Sequence, residues 1–131
     1  MKYLVDTCIC IAAKRDSAVA HWLQTNENDL AISAWTMAEL WHGVLKSESH
    51  GKKLEQELFQ RISEMTVLPF SRDTAVHLAE LFHRQEARGV RMKMKDCVIA
   101  ATALEHDLIL VTIDLGDFQH TGLNLLNPAT K

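Results

Sequence analysis

An apolar helix followed at once by an apolar strand is the feature that most restricts the fold of this chain. Residues 97–104 are apolar on almost every side, which is typical of a helix buried all round rather than lying at a surface. His106 and Asp107 interrupt this run, and residues 108–111 form a branched apolar run of strand length. A buried helix that leads directly into a short strand indicates an α/β protein.

Short strand-like runs alternate with helical patterns along the rest of the chain, without a linker or an internal repeat. Strands are predicted over residues 3–5, 30–32, 66–70, 108–111 and 123–126. The segments between them have the three-to-four-residue periodicity of amphipathic helices. This alternation predicts a single α/β domain with a mainly parallel sheet over residues 1–131.

Length, composition and charge exclude several classes of protein. The chain has 131 residues, of which 47% are hydrophobic and 24% charged, and this is enough for one domain with a sizeable core. A net charge of −3 argues against a protein that binds nucleic acid by charge alone. It does not exclude a protein whose acids surround metal ions, because bound cations invert the local charge.

The cysteines and the apolar runs indicate a reduced, cytoplasmic setting without membrane insertion. Cys8, Cys10 and Cys97 are odd in number and lack a second pair at zinc spacing, which favours free thiols over a zinc site. The N-terminus does not resemble a signal peptide, since Asp6 interrupts its apolar run. No segment approaches the ~18 uninterrupted apolar residues that a membrane span needs.

Four aspartates lie where the predicted strands end or where the buried helix begins. Asp6 ends the first strand, Asp96 begins the buried helix, and Asp114 and Asp117 follow the strand at 108–111. Ligands of open α/β sheets lie beyond the carboxyl ends of the strands, so these acids can converge there. Carboxylates that lie within ~4–6 Å of one another need a cation between them if all are to ionise. Oxygen ligands of this kind suit Mg²⁺ or Mn²⁺. Two such ions can activate water for phosphodiester cleavage.

Each of these acids also has a plain structural interpretation. Asp6, Asp114 and Asp117 are common turn residues, and Asp96 suits the first turn of a helix. The metal interpretation is favoured for the set because Asp6 and Asp96 adjoin strongly apolar segments, where an unpaired charge is costly. Glu39 lies opposite the apolar stripe of a helix predicted over residues 35–46, and this pattern alone indicates a solvated side chain.

Two other chemistries are also compatible with parts of the sequence. Residues 39–42 and 80–83 both read Glu-x-x-His, the motif from which four-helix bundles build di-iron sites, although strands interrupt the helices here. A phosphohydrolase with Asp6 as nucleophile is the other possibility. It would be expected to carry a second acid two residues on, where this chain has Cys8.

Four separated motifs resemble those of the PIN-domain family. They occupy residues 5–7 (VDT), 33–43 (SAWTMAELWHG), 96–104 (DCVIAATAL) and 110–118 (LVTIDLGDF). The motifs span nearly the whole chain in the family's order and spacing, and the chain is most similar to the VapC-type toxins of bacterial toxin–antitoxin pairs. The resemblance implies a PIN-like three-layer α/β/α fold with a short central sheet, as a single nuclease domain over residues 1–131.

The resemblance also implies an activity and a set of partners. The implied activity is that of a Mg²⁺- or Mn²⁺-dependent endoribonuclease, held inactive by a cognate antitoxin protein. A homodimer is implied, as is contact with operator DNA only through the antitoxin. A non-catalytic member of the family, which binds only antitoxin and operator, is the remaining alternative.

The family's functional residues carry over to named positions of this chain. The resemblance implies that Asp6, Glu39, Asp96 and Asp114 are the acidic residues of the metal site. Our mechanistic hypothesis is that Asp6 and Asp96 hold the principal ion and that Asp114 contributes to it or to a second ion. Glu39 then orients the attacking water directly or through the metal. The implied supporting residues are Thr7, Thr112 and Asp117. One departure is Cys8, since the family commonly has Asn there, whose amide would orient a carboxylate.

A basic segment precedes Asp96 in the sequence. The basic side chains of this segment either bind the phosphates of an RNA backbone or form a solvated face, and the sequence does not decide between the two. The RNA-binding candidates are Arg88, Arg91, Lys93 and Lys95.

Overall fold

Five short strands form one sheet in the protein, whose structure is a computed structural model that describes residues 1–47 and 49–129. The sheet order is β3-β2-β1-β4-β5, and every neighbouring pair among these strands is parallel. Parallel neighbours carry all strand ends of one kind to the same edge of the sheet. The strands are β1 Tyr3–Val5, β2 Leu30–Ser33, β3 Thr66–Leu68, β4 Ile109–Val111 and β5 Leu125–Leu126.

Six α-helices connect the strands within the described ranges. No helix of this part of the chain has the length and apolar character needed to cross a bilayer. A 3-10 segment, Leu115–Phe118, follows β4. The helices are α1 Thr7–Ala12, α2 Ser17–Thr25, α3 Ala34–Lys46, α4 Ser49–Ser63, α5 Arg72–Ala87 and α6 Met94–Glu105.

The core consists of two apolar clusters, one on each face of the sheet. Successive residues of a strand point to opposite faces, so Val5 joins the cluster that contains Ile9 of α1. Leu4 joins the other cluster, which contains Leu81 of α5 and Ile99 of α6. Helices α1 to α4 therefore cover one face and α5 and α6 the other, which confirms the predicted three-layer α/β/α fold.

The boundaries of several elements differ from the predictions by a few residues. The strand predicted over 66–70 ends at Leu68, because Pro69 has no backbone N–H for the ladder and Ser71 already caps α5. Helix α6 begins at Met94 rather than at Asp96, so Asp96 lies inside its first turn. The last strand is shorter than predicted and comprises only Leu125–Leu126.

Candidate metal centre

Asp6 is the best-supported carboxylate at the carboxyl edge of the sheet. It follows β1 directly, serves as the N-cap of α1, and is 6% exposed. Its Oδ1 accepts a hydrogen bond from the backbone N–H of Thr7 at 2.8 Å. Its Oδ2 accepts one from Thr112 Oγ1 at 2.8 Å and a longer one from Cys8 Sγ at 3.4 Å. Thr112 follows β4, the strand paired with β1, so parallel pairing brings this donor to Asp6.

Asp114 lies beside Asp6 at the same edge of the sheet. Its backbone N–H donates to Thr112 Oγ1 at 3.1 Å, which holds the turn after β4. One carboxylate oxygen each from Asp6 and Asp114 and the sulfur of Cys8 all lie within 4.8 Å of one another. Ligands at about 2.0–2.6 Å from one ion lie no more than about 5 Å apart, so this spacing fits a single divalent cation.

Asp96 is a third aspartate near this edge and is 6% exposed, but it lies outside the group formed by Asp6, Cys8 and Asp114. Burial raises the pKa of its carboxyl above the usual range, and the charges of Asp117 and Asp6 raise it further. Lys95 and Lys93 oppose this rise but do not cancel it. A divalent cation beside Asp96 would offset the negative charge of these neighbouring acids. We conclude that the residues present fit a metal ion.

Glu39 is tied to this centre through Thr7. Its Oε1 accepts a hydrogen bond from Thr7 Oγ1 at 2.7 Å, and the side chain is half-buried. The interpretation of Glu39 as a solvated residue, drawn from the helical pattern, was therefore wrong. Helix α3 buries Thr36, Leu40 and Val44, whereas Trp41 of the predicted apolar stripe is 43% exposed. The helix is thus rotated about its axis, which brings Glu39 towards the sheet edge.

A buried polar residue explains this rotation of α3. Thr36 is fully buried, and its Oγ1 lies 3.1 Å from Thr7 Oγ1 and accepts a hydrogen bond from Ser33 Oγ at 3.2 Å. Because these hydroxyls satisfy one another, a polar face of α3 can pack inward. Hydroxyl groups at such positions resemble polar surface residues in the sequence, so periodicity identified Leu40 and Val44 as buried but missed Thr36 and wrongly included Trp41.

A cavity of about 200 Å³ adjoins Asp96 and Asp117. Arg91 and Lys93 of the predicted basic segment line it, whereas Arg88, an exposed residue at the end of α5, does not. Lys95 is exposed and outside the lining. Sequence reasoning missed several of the lining residues, which have no motif of their own. The complete lining is Gln85, Val90, Arg91, Met92, Lys93, Asp96, Gly116, Asp117 and His120.

Cys8 lies two residues after Asp6, at the position where the resemblance implies Asn. Burial raises the pKa of the thiol to about 11, with a further rise from the charge of Asp6, so the thiol is protonated at neutral pH. It donates to Asp6 Oδ2 and thereby supplies, more weakly, the hydrogen bond expected of an amide. Its nearness to Asp114 was missed from the sequence, although its position two residues after Asp6 was a signal.

The two Glu-x-x-His motifs do not meet. Residues 39–42 lie on α3, which packs through Leu40 on one face of the sheet, whereas residues 80–83 lie on α5, which packs through Leu81 on the other. Within the described part of the chain, the potential ligands that cluster in threes or more are Asp6, Cys8 and Asp114. The geometry therefore gives no support to a di-iron site.

Comparisons with known proteins relate most of the chain to one family. Residues 3–122 match the family model described as PIN domain. The VapC ribonuclease Y4jK of Sinorhizobium fredii is 33% identical over 123 residues, which cover 88% of this chain and 87% of that protein. Ribonuclease VapC2 of Rickettsia felis is 31% identical over 126 residues, covering 91% of each chain.

The fold is also similar to that of solved structures. The crystal structure of VapBC2 from Rickettsia felis bound to a DNA fragment from their promoter gives a TM-score of 0.85 at 28% sequence identity. The similarity covers 97% of this chain and 98% of that chain.

Proposed function

Because the chain belongs to the PIN-domain family, we propose that it is a metal-dependent endoribonuclease that acts as the toxin of a toxin–antitoxin pair. Relatives that match over most of their length are named ribonucleases, and one is named a tRNA(fMet)-specific endonuclease. The observation that carries the proposal is the convergence of acids at the carboxyl edge of the sheet. Asp6 and Asp114 approach each other there, and Asp96 carries a raised pKa next to Asp117 and Asp6.

We assign the ligands of the ion to Asp6, Asp96 and Asp114, with Asp117 behind them. All-oxygen ligation favours Mg²⁺ or Mn²⁺. When bound, the ion supplies positive charge beside a scissile phosphate. Thr7 and Thr112 keep the Asp6 carboxylate in one orientation through hydrogen bonds to its two oxygens.

Glu39 is assigned to the attacking water. Thr7 donates to Oε1 of this carboxylate, and among the described residues no hydrogen-bond donor reaches Oε2. In the proposed step Oε2 accepts a proton from the water as its oxygen bonds to phosphorus. The bond from phosphorus to the leaving ribose oxygen breaks, and that oxygen takes a proton from solvent.

The RNA backbone approaches the acids through the basic segment. Arg91 and Lys93 line the cavity that Asp96 and Asp117 share, so they are placed to neutralise phosphates next to the reacting one. Lys95, whose charge partly opposes the rise in the pKa of Asp96, adds positive charge near the same cavity. Arg88 does not line the cavity, so we assign it a peripheral role in RNA binding.

The partners follow from the relatives. The Rickettsia felis structure contains a VapBC2 pair on promoter DNA. By the same arrangement this chain would bind a cognate antitoxin and meet operator DNA only through that antitoxin. We also propose a homodimer and a cytoplasmic location, which that structure does not address. Exposed apolar side chains on α3 suit protein partners, and among them are Trp35 at 40%, Trp41 at 43% and Leu45 at 59% exposure.

Replacing the acids one at a time tests the proposal. Asp6→Asn and Asp96→Asn should each abolish Mn²⁺-dependent RNA cleavage, while the metal-free variants unfold at the same or a higher temperature, since like-charge repulsion is relieved. Asp107→Asn is the matched control, because Asp107 is exposed and lies at the opposite, amino edge of β4. Undiminished cleavage by both active-site variants would refute the assignment.

Two further outcomes separate the alternatives. A wild-type protein that binds antitoxin and Mn²⁺ but cuts no RNA would be a non-catalytic family member. A wild-type protein that hydrolyses phosphomonoesters and leaves RNA intact would be a phosphohydrolase.

A further inference from the structure

The group of clustered ligand atoms at this edge contains a sulfur. Cys8 Sγ lies 3.4 Å from Asp6 Oδ2 and 3.5 Å from Thr112 Oγ1. It also belongs to the set with Asp6 and Asp114 whose atoms lie within 4.8 Å of one another. The side chain is half-buried, so ions from solvent reach it. The hydrogen bond to Asp6 does not require sulfur, because an oxygen or nitrogen donor would form a stronger one.

Sulfur changes which ions the centre prefers. Carboxylates alone suit hard ions such as Mg²⁺ and Mn²⁺, whereas a thiolate is the ligand of choice for softer ions such as Zn²⁺. Two carboxylates and one thiolate make a three-ligand set that a tetrahedral ion accepts with its fourth position open. Cys8, Asp6 and Asp114 are such a set.

We propose that Cys8 makes the centre a site for thiophilic divalent ions as well, which bind through Cys8, Asp6 and Asp114 and displace Mg²⁺ or Mn²⁺. The inference rests on the proposed function, because it concerns the same acids. As the metal–sulfur bond forms, the thiol loses its proton to water, and no atom changes oxidation state. Zn²⁺ and Cd²⁺ would then act as inhibitors of the nuclease.

Inhibition follows from how the ligands are arranged. When Sγ binds an ion, it no longer donates to Asp6 Oδ2, and that carboxylate keeps only the hydrogen bonds from Thr7 and Thr112. Asp96 is outside the group of atoms within 4.8 Å, so a soft ion bound by Cys8 is drawn towards Asp114 and away from Asp96. The proposed nuclease needs all three aspartates around one centre.

The other two thiols provide an internal reference. Cys10 is 0% exposed and Cys97 is 1% exposed, and both lie in the apolar core. Neither belongs to the group of clustered ligands. A thiol that responds to added ions in the folded protein is therefore Cys8.

Titration of the whole chain with Cd²⁺, in buffer free of other divalent ions, tests the proposal. The wild-type protein should develop the ultraviolet thiolate-to-cadmium absorption band, saturating at one ion per chain. Cys8→Ser keeps a hydroxyl donor for Asp6 and removes the soft ligand. It should lack the band and lose about 10–100-fold in Cd²⁺ affinity by calorimetry, while its Mn²⁺ affinity stays within about threefold.

Two more variants complete the experiment. Cys8→Asn restores the family's common residue and should behave as Cys8→Ser does, so it replaces that variant if the serine protein does not fold. Cys97→Ala is the control and should keep the band. One equivalent of Cd²⁺ should also release Mn²⁺ from the wild-type protein, which electron paramagnetic resonance detects as free Mn²⁺.

A band of equal strength in Cys8→Ser and Cys8→Asn, or Cd²⁺ affinity equal to that of the wild-type protein, would overturn the proposal. Failure of the nuclease assignment looks different. If wild-type protein shows the Cys8-dependent band but cuts no RNA with Mn²⁺, the proposed function fails and the soft-metal site stands. If it cuts RNA with Mn²⁺ but binds Cd²⁺ independently of Cys8, only this inference fails.

Discussion

Thr7 holds two acids of the centre at once. Its backbone N–H donates to Asp6 Oδ1, and its hydroxyl donates to Glu39 Oε1. A residue of 8% exposure thus fixes the distance between a proposed metal ligand and the proposed base. Outer partners of this kind orient the groups that do the chemistry without touching the substrate.

Removing the hydroxyl of Thr7 is expected to slow cleavage without unfolding the protein. Thr7→Val keeps the backbone bond to Asp6 and the side-chain shape, but frees Glu39, so the rate of RNA cleavage should fall by about 10–100-fold. Thr7→Ser keeps the hydroxyl and should stay near the wild-type rate. Equal rates for the valine and serine variants would show that the link between Thr7 and Glu39 has no role.

Asp96 makes the stability of the metal-free protein depend on pH. Its pKa is raised in the folded protein above its ordinary value of 3.8, so the folded protein keeps a proton at pH values where the unfolded chain has lost it. Stability therefore falls as pH rises from about 4 through the folded pKa, and this loss persists at neutral pH.

Asp96→Asn should remove this part of the pH dependence. In the presence of a chelator, the variant is expected to be at least as stable as the wild-type protein at pH 7. The difference between their free energies of unfolding should shrink as pH falls towards 3.8. Urea unfolding across that range measures it, with Asp107→Asn as reference. A pH-independent difference between variant and wild-type protein would contradict the raised pKa.

At the scale of elements, the end of α5 determines where the basic segment lies. Gly89 follows the C-cap Arg88 with φ +68° and donates through its N–H to Glu86 O at 3.1 Å. Val90 N donates to Gln85 O at 2.9 Å. These two bonds form a Schellman motif, which requires a left-handed residue at the glycine position. The turn reverses the chain and carries Arg91 to the cavity.

Gly89→Ala is expected to cost about 1 kcal/mol of folding stability, because a side chain disfavours the left-handed conformation. Chemical denaturation at equilibrium measures this loss. Gly116→Ala is the matched control, since Gly116 has no positive φ and a Cβ there meets no atom within 4 Å among the described residues. An equal loss in both variants would indicate that the left-handed turn is not the cause.

At the scale of the whole molecule, charge is distributed unevenly. The chain carries a formal net charge of −3, and a cluster of aspartates lies at one edge of the sheet. Arg91 and Lys93 stand beside that cluster and give RNA a cationic approach to it. Bound divalent ions would neutralise the acids, so the same surface becomes more favourable for phosphates when metal is present.

The combined variant Arg91→Gln, Lys93→Gln should weaken RNA binding and reduce its dependence on salt. The slope of log affinity against log salt is negative, and each lost phosphate contact makes it less steep by about 0.7 for a single strand. The slope of the double variant should therefore be less steep by about 1–1.4. Filter binding with the Asp6→Asn protein measures affinity without cleavage. Arg88→Gln, which lies outside the cavity lining, should change the slope less. An unaltered slope in the double variant would favour a solvated surface.

Much of the architecture was predictable because it depends on local patterns. The apolar runs predicted strands and helices in the correct order. The assignment of Leu4 and Val5 to different core clusters was seen only in the structure. The acids at the ends of β1 and β4 pointed to one edge of the sheet, since parallel strands share their direction. The family motifs agreed with this placement.

The local patterns thus account for the order of elements, their layers and the edge at which the acids lie. The pairing of side chains at that edge depends on long-range packing instead. It joins Thr112 to Asp6 across 106 positions, Thr7 to Glu39 across 32, and Cys8 to Asp114. Periodicity describes the face of one helix or strand at a time. Contacts between distant segments depend on how those elements rotate and pack, and a buried hydroxyl such as that of Thr36 sets this rotation without leaving an apolar pattern.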